Sequence, residues 1–374
     1  MKLPFSFDEI DPEEFNIRPV DIKGETCHLI YPKAVGPKWN KNNLILRSSL
    51  WNSGGYLISA GYKKFFNYTE APQVTPDPVT LENANAFEKL DGSLLICSLY
   101  NDEWILRTRG TIDARIMENG DEIDYFVNNK YKKFFHNRVH KIDNMLYDGG
   151  PVAFTYLFEW VSPKNQIVIF YPEPDIRLVG IVDNQDYSYF SQNVVDEVAK
   201  NHHLLRPTRY TFNSVEELYT SVKAFEGKEG ICLYYNGDQD IKKFKGLDYL
   251  AKHSFMSKVS NKETINLFAT LNYPDYDTFY NYIVKQFDFE IAEYARPFME
   301  NVTDAYTKWE TVLMQLKYIA KSLKDTPRKE AADYILNTSF MKQYSGIIFG
   351  LLDGKEPGPE TIRKFLCAEC GVKP

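Results

Sequence analysis

The chain has 374 residues, 44% of them hydrophobic and 25% charged, and its 44 basic and 51 acidic side chains give a formal net charge of −7. These figures exclude a disordered chain, a collagen and a disulfide scaffold, and they exclude a bulk polyanion binder of the histone type, though not a local basic groove. The length suits two domains, and 26 Tyr, 25 Phe and 5 Trp can fill a large core.

No apolar run approaches the roughly 18 residues of a membrane helix. Met1-Lys2-Leu3-Pro4, followed by an acidic run, lacks the basic-then-apolar layout of a signal peptide. The five cysteines are Cys27, Cys97, Cys232, Cys367 and Cys370. An odd, sparse set suggests reduced thiols in a cytoplasmic protein with no membrane association. Cys367 and Cys370 form a single CxxC without a second ligand pair, so they read as two thiols on or near a terminal helix rather than a zinc site.

Between residues 26 and 245 short strand-like runs alternate with turn signals. The expected strands are Thr26 to Tyr31, Asn43 to Arg47, Leu94 to Leu99, Trp104 to Arg109, Val152 to Trp160, Ile176 to Val182, Gly230 to Tyr235 and Ile241 to Lys245. Helical spacing predicts helices near residues 191–202 and 214–225, the second opened by a Ser214–Glu217 capping box. After residue 246 the strand signals end. Val302, Tyr306, Trp309, Leu313, Leu316, Ala320 and Leu323 recur at three- and four-residue steps, which makes residues 299–323 one amphipathic helix. Asp325-Thr326-Pro327 breaks it and caps the next. There is no internal repeat and no low-complexity linker. The pattern therefore predicts an α+β domain over residues 1–250 and an all-helical domain over residues 251–374.

The sharpest local feature is Glu88-Lys89-Leu90-Asp91-Gly92-Ser93. A lysine in a short loop before a strand, beside a glycine that allows close backbone approach, suits a nucleophilic amine. A free lysine has a pKa of ~10.4, so cationic neighbours or burial must help it lose its proton. Lys243-Phe244-Lys245 supplies such neighbours, because strand alternation puts both amines on one face and Phe244 on the other. Lys242 then points away, toward solvent. Alone, Lys-x-Asp-Gly is a weak signal and in a chain of this size is usually a solvated turn. Glu159 stands in an otherwise apolar run, where a carboxylate is not buried without a partner, and this marks it as functional. Lys64, in Tyr62-Lys63-Lys64-Phe65-Phe66-Asn67, reads equally as a functional amine or as an aliphatic stem covering core.

Taken in order, Lys89-x-Asp91-Gly92, Arg107-Thr108-Arg109-Gly110, Leu157-Phe158-Glu159-Trp160, Glu229-Gly230 and Lys243-Phe244-Lys245 form a series. It resembles the covalent nucleotidyltransferase superfamily of ligases and RNA capping enzymes, and within it the RNA ligase 1 family of the T-even bacteriophages. Two further segments carry the closer resemblance: Tyr62 to Asn67, and Phe158-Glu159-Trp160-Val161-Ser162-Pro163-Lys164-Asn165-Gln166-Ile167-Val168. The resemblance spans residues 40–258; the C-terminal third matches only in being helical and in length.

The resemblance implies an α+β nucleotidyltransferase (ATP-grasp-like ligase) domain of antiparallel sheets with flanking helices, followed by the all-α domain, which would tune RNA choice. It implies ATP and Mg²⁺, with Mn²⁺ as a substitute, and three chemical steps. Lys89 attacks the α-phosphorus of ATP and expels pyrophosphate, the AMP passes to the 5′-phosphate of an RNA, and a 3′-hydroxyl then displaces AMP. By motif position Lys89 is the nucleophile, Asp91 and Gly92 shape its loop, and Asp91 assists joining. Glu88 adjoins the nucleotide, Glu159 accepts hydrogen bonds from the ribose hydroxyls, and Glu229 with Glu159 lies near the metal. Gly230 allows close approach, and Lys243 and Lys245 contact the α-phosphate. Arg109 and Arg47 hold the outer phosphates, while Lys64 and Phe66 belong to an upstream nucleotide-binding motif. Arg107 and Arg109 stand where close relatives carry lysines, Leu90 replaces an acidic residue, and Gln166 replaces an arginine.

The implied partners are RNA with 5′-phosphate and 3′-hydroxyl ends, as in tRNA repair, and a polynucleotide kinase/phosphatase acting upstream. The chain is expected to be a monomer in the cytoplasm, that of an infected host if it is viral. Two other readings remain. One is a DNA ligase or capping guanylyltransferase, against which the lack of an OB-like strand pattern after Lys245 counts. The other is a non-catalytic RNA-binding protein with a degenerate ligase fold, against which the intact set Lys89, Glu159, Glu229, Lys243 and Lys245 counts.

Lys130 to Lys141 carries five Lys/Arg and no acid, with aromatics interleaved. It reads as the solvated side of a helix whose apolar side is Phe134, Phe135 and Val139, ahead of an RNA-backbone groove. His136 and His140 lack a third ligand. Residues 259–374 carry a net −2 and residues 242–258 a net +4. Positive charge gathers where phosphates would react, which predicts a modest, salt-sensitive grip on RNA ends.

Overall fold

The computed structural model describes residues 1–33, 37–70, 74, 79–101, 103–136, 141–142, 145–146, 154–286 and 289–373. Two compact units divide the chain, Met1–Ala251 and Lys252–Pro374.

The first unit opens with an antiparallel meander of β1 (Phe15–Ile22), β2 (Glu25–Pro32), β3 (Ser49–Asn52) and β4 (Leu57–Ala60). Along the chain follow β5 (Phe66–Asn67), β6 (Asn85–Lys89), β7 (Ser93–Tyr100), β8 (Glu103–Arg107), α1 (Gly120–Tyr125), α2 (Lys132–Phe135) and the short pair β9 (Lys141–Ile142) and β10 (Met145–Leu146). Then come β11 (Phe154–Val161), β12 (Asp175–Asp183), β13 (Ser188–Tyr189), α3 (Gln192–His202), β14 (Arg209–Tyr210), α4 (Val215–Lys223), β15 (Gly230–Tyr235) and β16 (Asp240–Lys245). They build two five-stranded sheets. One is antiparallel with the order β13-β12-β11-β7-β8; the other runs β14-β6-β15-β16-β5, with β16 and β5 parallel.

The central strands β7 and β11 are buried on both faces. Leu95, Cys97, Phe158 and Trp160 point into a core closed by Ile123, Phe126, Phe134 and Val195 from the helical side. Ile96 and Leu157 point into a second core with Ile30, Trp51 and Ala60 of the meander. Double burial explains why these runs read as continuously apolar rather than alternating. Between meander and sheet lies a polar seam. Ser98 Oγ donates to Ser59 Oγ at 2.7 Å, and the fully buried Arg107 donates to Ser48 Oγ, Ser59 Oγ and both of their carbonyls at 2.9–3.1 Å. Arg107 therefore holds two layers together, and no phosphate role remains for it.

Several expectations need correction. Asn43 to Arg47 is not a strand: Leu44–Arg47 is a 3₁₀ turn, because Asn40 and Asn43 hydrogen-bond the local backbone and curl the chain. Lys89 is not in a loop but is the last residue of β6. Lys242 is not solvated: it is 2% exposed and its Nζ donates to the Glu70 carbonyl at 3.2 Å, since β5 and the chain after it run alongside β16. The Ser214 half of the capping box forms, with Glu217 N–H donating to Ser214 Oγ at 3.0 Å, but the Glu217 carboxylate reaches Asn213 instead. Phe134 and Phe135 are buried and Lys132 and Lys133 exposed, the amphipathic arrangement expected of that stretch; Asn137, Arg138, Val139 and His140 lie outside the described residues.

The helix α5 (Leu247–Lys258) crosses the division between the units. The second unit contains α6 (Asn261–Thr270), α7 (Tyr276–Gln286), α8 (Phe289–Ser322), α9 (Arg328–Asn337), α10 (Ser339–Gln343), α11 (Ser345–Leu352) and α12 (Pro359–Glu369), with no strand among its described residues. Val302, Trp309, Leu316 and Ala320 form the buried stripe of α8. That helix starts ten residues before its expected beginning and runs through Pro297, because Ala292, Ala295 and Met299 continue the stripe. Pro327 is the N-cap of α9 and no side chain caps it. Cys367 lies in α12 and Cys370 is its C-cap, both as free thiols.

Candidate active site

The two five-stranded sheets are joined where β6 passes into β7 through Leu90, Asp91 and Gly92. Lys89 thus stands at the crossing between sheets. Its neighbours in register are Gly230 on β15 and, beyond it, Lys245 on β16. Because Gly230 has no side chain, the two lysines reach one carboxylate from either side. Lys89 Nζ lies 2.7 Å from Glu229 Oε2 and Lys245 Nζ 2.8 Å from Glu229 Oε1. Glu229 is almost fully buried, so its negative charge is matched by two ammonium groups.

The expectation that cationic neighbours lower the Lys89 pKa is not met. Burial of the amine works downward, but Glu229, with Cys232 and Glu159, outweighs it and holds Lys89 above the ordinary lysine value. The strongly depressed lysine is Lys243, two residues before Lys245 on β16. Burial first, then Arg47, Lys64, Lys245 and Lys89, bring it down to about 7.

Glu159 projects from β11. Its Oε1 accepts the Gly92 N–H at 3.2 Å. Burial pushes its carboxyl up to about 7, against the pull of Lys89 and together with the like charge of Glu229. Gly92 is required by close approach, since a Cβ there would fall 2.2 Å from the Trp160 carbonyl oxygen. Asp91 is 3% exposed and its carboxylate is fully engaged: Oδ2 accepts from the Val168 and Ile169 N–H groups at 2.7 and 2.8 Å, and Oδ1 from the Tyr249 hydroxyl at 2.9 Å. Asp91 therefore positions its surroundings. Strand alternation turns Glu88 to the face opposite Lys89, and its N–H donates to the Thr208 carbonyl.

A second cluster is mainly cationic, with Glu70 as a carboxylate that acts on Lys64 and Lys243. Arg47 lies over the Phe65 ring at 4.8 Å, Lys243 over the same ring at 5.7 Å, and Lys64 between Trp39 and the buried Phe66 at 5.7 and 5.0 Å. Burial and then Arg109 lower Arg47; burial and then Arg47, with Arg109, lower Lys64 against the pull of Glu70. Arg47 Nη1 is buried with no hydrogen-bond partner among the described residues. A buried guanidinium donor left open beside like charges is costly unless an anion enters. Lys64 is thus both an aliphatic stem and part of a charge cluster. Arg109 is exposed just beyond β8.

Sequence reasoning did not single out Phe65, Cys232, Tyr171 or Tyr249. Cys232 is the register partner of both Phe87 and Lys243 on the lysine face, and Tyr171 Oη accepts the Asp91 N–H at 3.0 Å. Phe65 lay inside a quoted segment; the others carried no signal, since only the fold brings them in.

The two groups near neutrality set the pH dependence of stability. Glu159 keeps its proton in the folded state up to about 7, so folding loses stability as pH rises from ~4.3 to that value. Lys243 releases its proton at about 7 in the folded state, so stability is regained as pH rises from there toward ~10.4. Melting curves of Glu159→Gln are expected to lack the first slope and those of Lys243→Met the second. Slopes identical to the wild type in both variants would contradict this.

Among known families, the sequence model described as RNA ligase matches residues 46–265. A putative bifunctional polynucleotide kinase/RNA ligase of Autographa californica nuclear polyhedrosis virus is 28% identical over 236 residues, covering 58% of this chain and 31% of that protein. An RNA ligase of Rhodothermus phage RM378 is 29% identical over 181 residues, covering 42% of this chain and 40% of that protein. The chain spans less than half the length of the curated relatives it matches. Among solved structures, an archaeal ATP-dependent RNA ligase aligns with TM-score 0.44 at 10% identity, covering 91% of this chain and 94% of that one. Naegleria gruberi RNA ligase with PPi aligns with TM-score 0.40 at 15% identity, covering 64% and 77%.

Proposed function

Since the chain belongs to the RNA ligase family whose model matches residues 46–265, we propose that it is an ATP-dependent RNA ligase that joins 5′-phosphate and 3′-hydroxyl ends through a lysyl-AMP on Lys89. The observation that carries this reading is the Lys89–Glu229–Lys245 arrangement beside the cationic cluster with the open Arg47 donor. Lys89 forms the N–P bond to the α-phosphorus of ATP as the bond to pyrophosphate breaks. Lys245 and Lys243 neutralise the charge on the α-phosphate oxygens, and Arg47, Lys64 and Arg109 receive the departing pyrophosphate. Glu159 accepts from the ribose hydroxyls.

No group of three or more His, Cys, Asp or Glu that could hold a metal occurs among the described residues. Two carboxylates, Glu229 and Glu159, fit the sparse mode in which Mg²⁺ or Mn²⁺ is completed by substrate phosphates and water. A bound divalent cation would supply positive charge at the phosphates and compete with Lys89 for Glu229. In the next step the 5′-phosphate oxygen of an RNA attacks the α-phosphorus and Lys89 leaves as the amine; a 3′-hydroxyl then displaces AMP. RNA is the proposed partner, and the helical unit is proposed to choose among RNAs. One relative is named a putative bifunctional polynucleotide kinase/RNA ligase, which supports a supply of 5′-phosphate ends by a kinase.

The test is incubation with α-labelled ATP or GTP and Mg²⁺, followed by acid and electrophoresis. ATP is expected to label the protein, and the label to move to 5′-phosphate RNA in preference to DNA. Labelling by GTP alone would make the protein a capping-type transferase, and no label with either would favour a non-catalytic binding protein.

A further inference from the structure

A strap of chain from Pro163 to Tyr171 runs beside the nucleophile. It starts as a 3₁₀ turn, Pro163–Asn165, tied down where Asn165 Nδ2 donates to the Trp160 carbonyl at 3.0 Å and Ser93 Oγ to Asn165 Oδ1 at 3.2 Å. Asp91 Oδ2 then holds the N–H groups of Val168 and Ile169, and the Asp91 N–H is held by the Tyr171 hydroxyl. The chain on both sides of Phe170 is therefore fixed to a residue two positions from Lys89. Val168 supplies the strap's buried anchor at 4% exposure, yet Phe170 is 47% exposed and Ile167 38% exposed. A fixed backbone that shows an apolar ring to water gains little for the fold from that ring. The groups assigned to ATP lie inward: Glu229 is 3% exposed at its side chain, Lys245 19% and Lys89 21%. A nucleic-acid end must instead arrive from solvent, and the exposed ring of Phe170 is carried by a segment fixed to Asp91, two residues from Lys89.

We infer that Phe170 is a stacking platform for the base of the RNA nucleotide that carries the reacting 5′-phosphate, with Ile167 widening the apolar surface. The inference rests on the ligase reading and adds a contact that only the RNA-dependent steps use. Every base has a flat π-face, so such a ring adds affinity and holds the terminal nucleotide still without selecting sequence. The phosphate is gripped by charge and the base by the ring, and neither alone orients the end.

The experiment separates the steps. Pre-adenylylated protein is mixed with 5′-phosphate RNA, and AMP transfer is followed in a single turnover over a range of RNA concentrations. Phe170→Ala is expected to raise the half-saturating RNA concentration roughly 10- to 100-fold. Phe170→Trp should stay within about threefold of the wild type. Formation of lysyl-AMP from ATP should be the same in all three. An RNA whose 5′-terminal nucleotide lacks its base should be weakened by a similar factor with the wild type, and no further by Phe170→Ala. The proposal is overturned if the alanine variant transfers normally, if it loses lysyl-AMP formation to the same extent, or if it still responds to the missing base. A wild type that forms no lysyl-AMP at all overturns the ligase reading as well, and this differs from a wild type that seals RNA normally and a variant that matches it.

Discussion

Lys89→Ala takes up no label from α-labelled ATP, a loss of at least about a thousandfold, because no other amine stands in its place to form the N–P bond. Its melting temperature falls, but by less than that of a variant lacking the carboxylate, since the buried Glu229 keeps Lys245 as a partner at 2.8 Å. Lys89→Arg is equally silent, because a guanidinium does not lose its proton in this pH range. The contrast is Glu229→Ala. It leaves two largely buried ammonium groups facing one another and is expected to cost about 3 kcal/mol of stability in addition to activity. Lys89 is held above the ordinary lysine value chiefly by Glu229 acting against burial, so two pH profiles separate. The ion pair contributes fully below the ordinary lysine pKa of ~10.4 and is lost only above it, so its part in stability is flat from about pH 6 to 9. The rate of labelling rises over that same range as free amine is released. Glu229→Gln should flatten that rise, raising the rate at pH 6 relative to that at pH 9, because the charge that holds the Lys89 proton is gone. A label on Lys89→Ala, or a wild-type rate independent of pH, would refute the assignment.

What the sequence made legible follows from range along the chain. Strands β7, β11, β12, β15 and β16 were readable because each is a compact β-branched or aromatic run between turn signals, and the ordered motifs lie on their ends. The identity of the partners was not. Nothing near Lys89 in sequence says that its closest charge is Glu229, 140 residues away, rather than the lysines of β16. The error in the direction of its pKa follows from that one missing contact. Lys242 misled for a similar reason: alternation was read correctly, but the covering chain after β5 comes from residues 66–70. Asp91 was read as part of a nucleophile loop, and the fold makes it the peg for residues 168–171 and for Tyr249. Arg107 and Arg109, two residues apart, share a motif but not an environment. One is sealed in the seam between sheets and the other is exposed, and only packing could separate them.

Gly230→Ala is the other change with a large expected effect, and its reason is backbone geometry. Gly230 has φ +154°, and a Cβ added there would fall 1.9 Å from the Phe244 carbonyl oxygen, 2.9 Å from its carbon and 3.0 Å from Lys245 Cα. Every atom it meets is backbone of β16, so relief requires the strand to move and not merely a side chain to turn. That strand carries Lys243 and Lys245, and Gly230 lies in register between Lys245 and Lys89. One methyl group therefore pushes apart the row on which the Glu229 pairs depend. The cost is expected to be about 3 kcal/mol or more, from strain and lost ladder contacts together. Positioning chemistry is sensitive to displacements of about 1 Å, so lysyl-AMP formation should fall by a factor of about 100 or more even in the molecules that remain folded. The check is labelling at a temperature where circular dichroism shows the variant fully folded. A folded Gly230→Ala that labels like the wild type would mean that β16 can yield without moving its lysines, and that the register of Lys89, Gly230 and Lys245 is not what aligns the site.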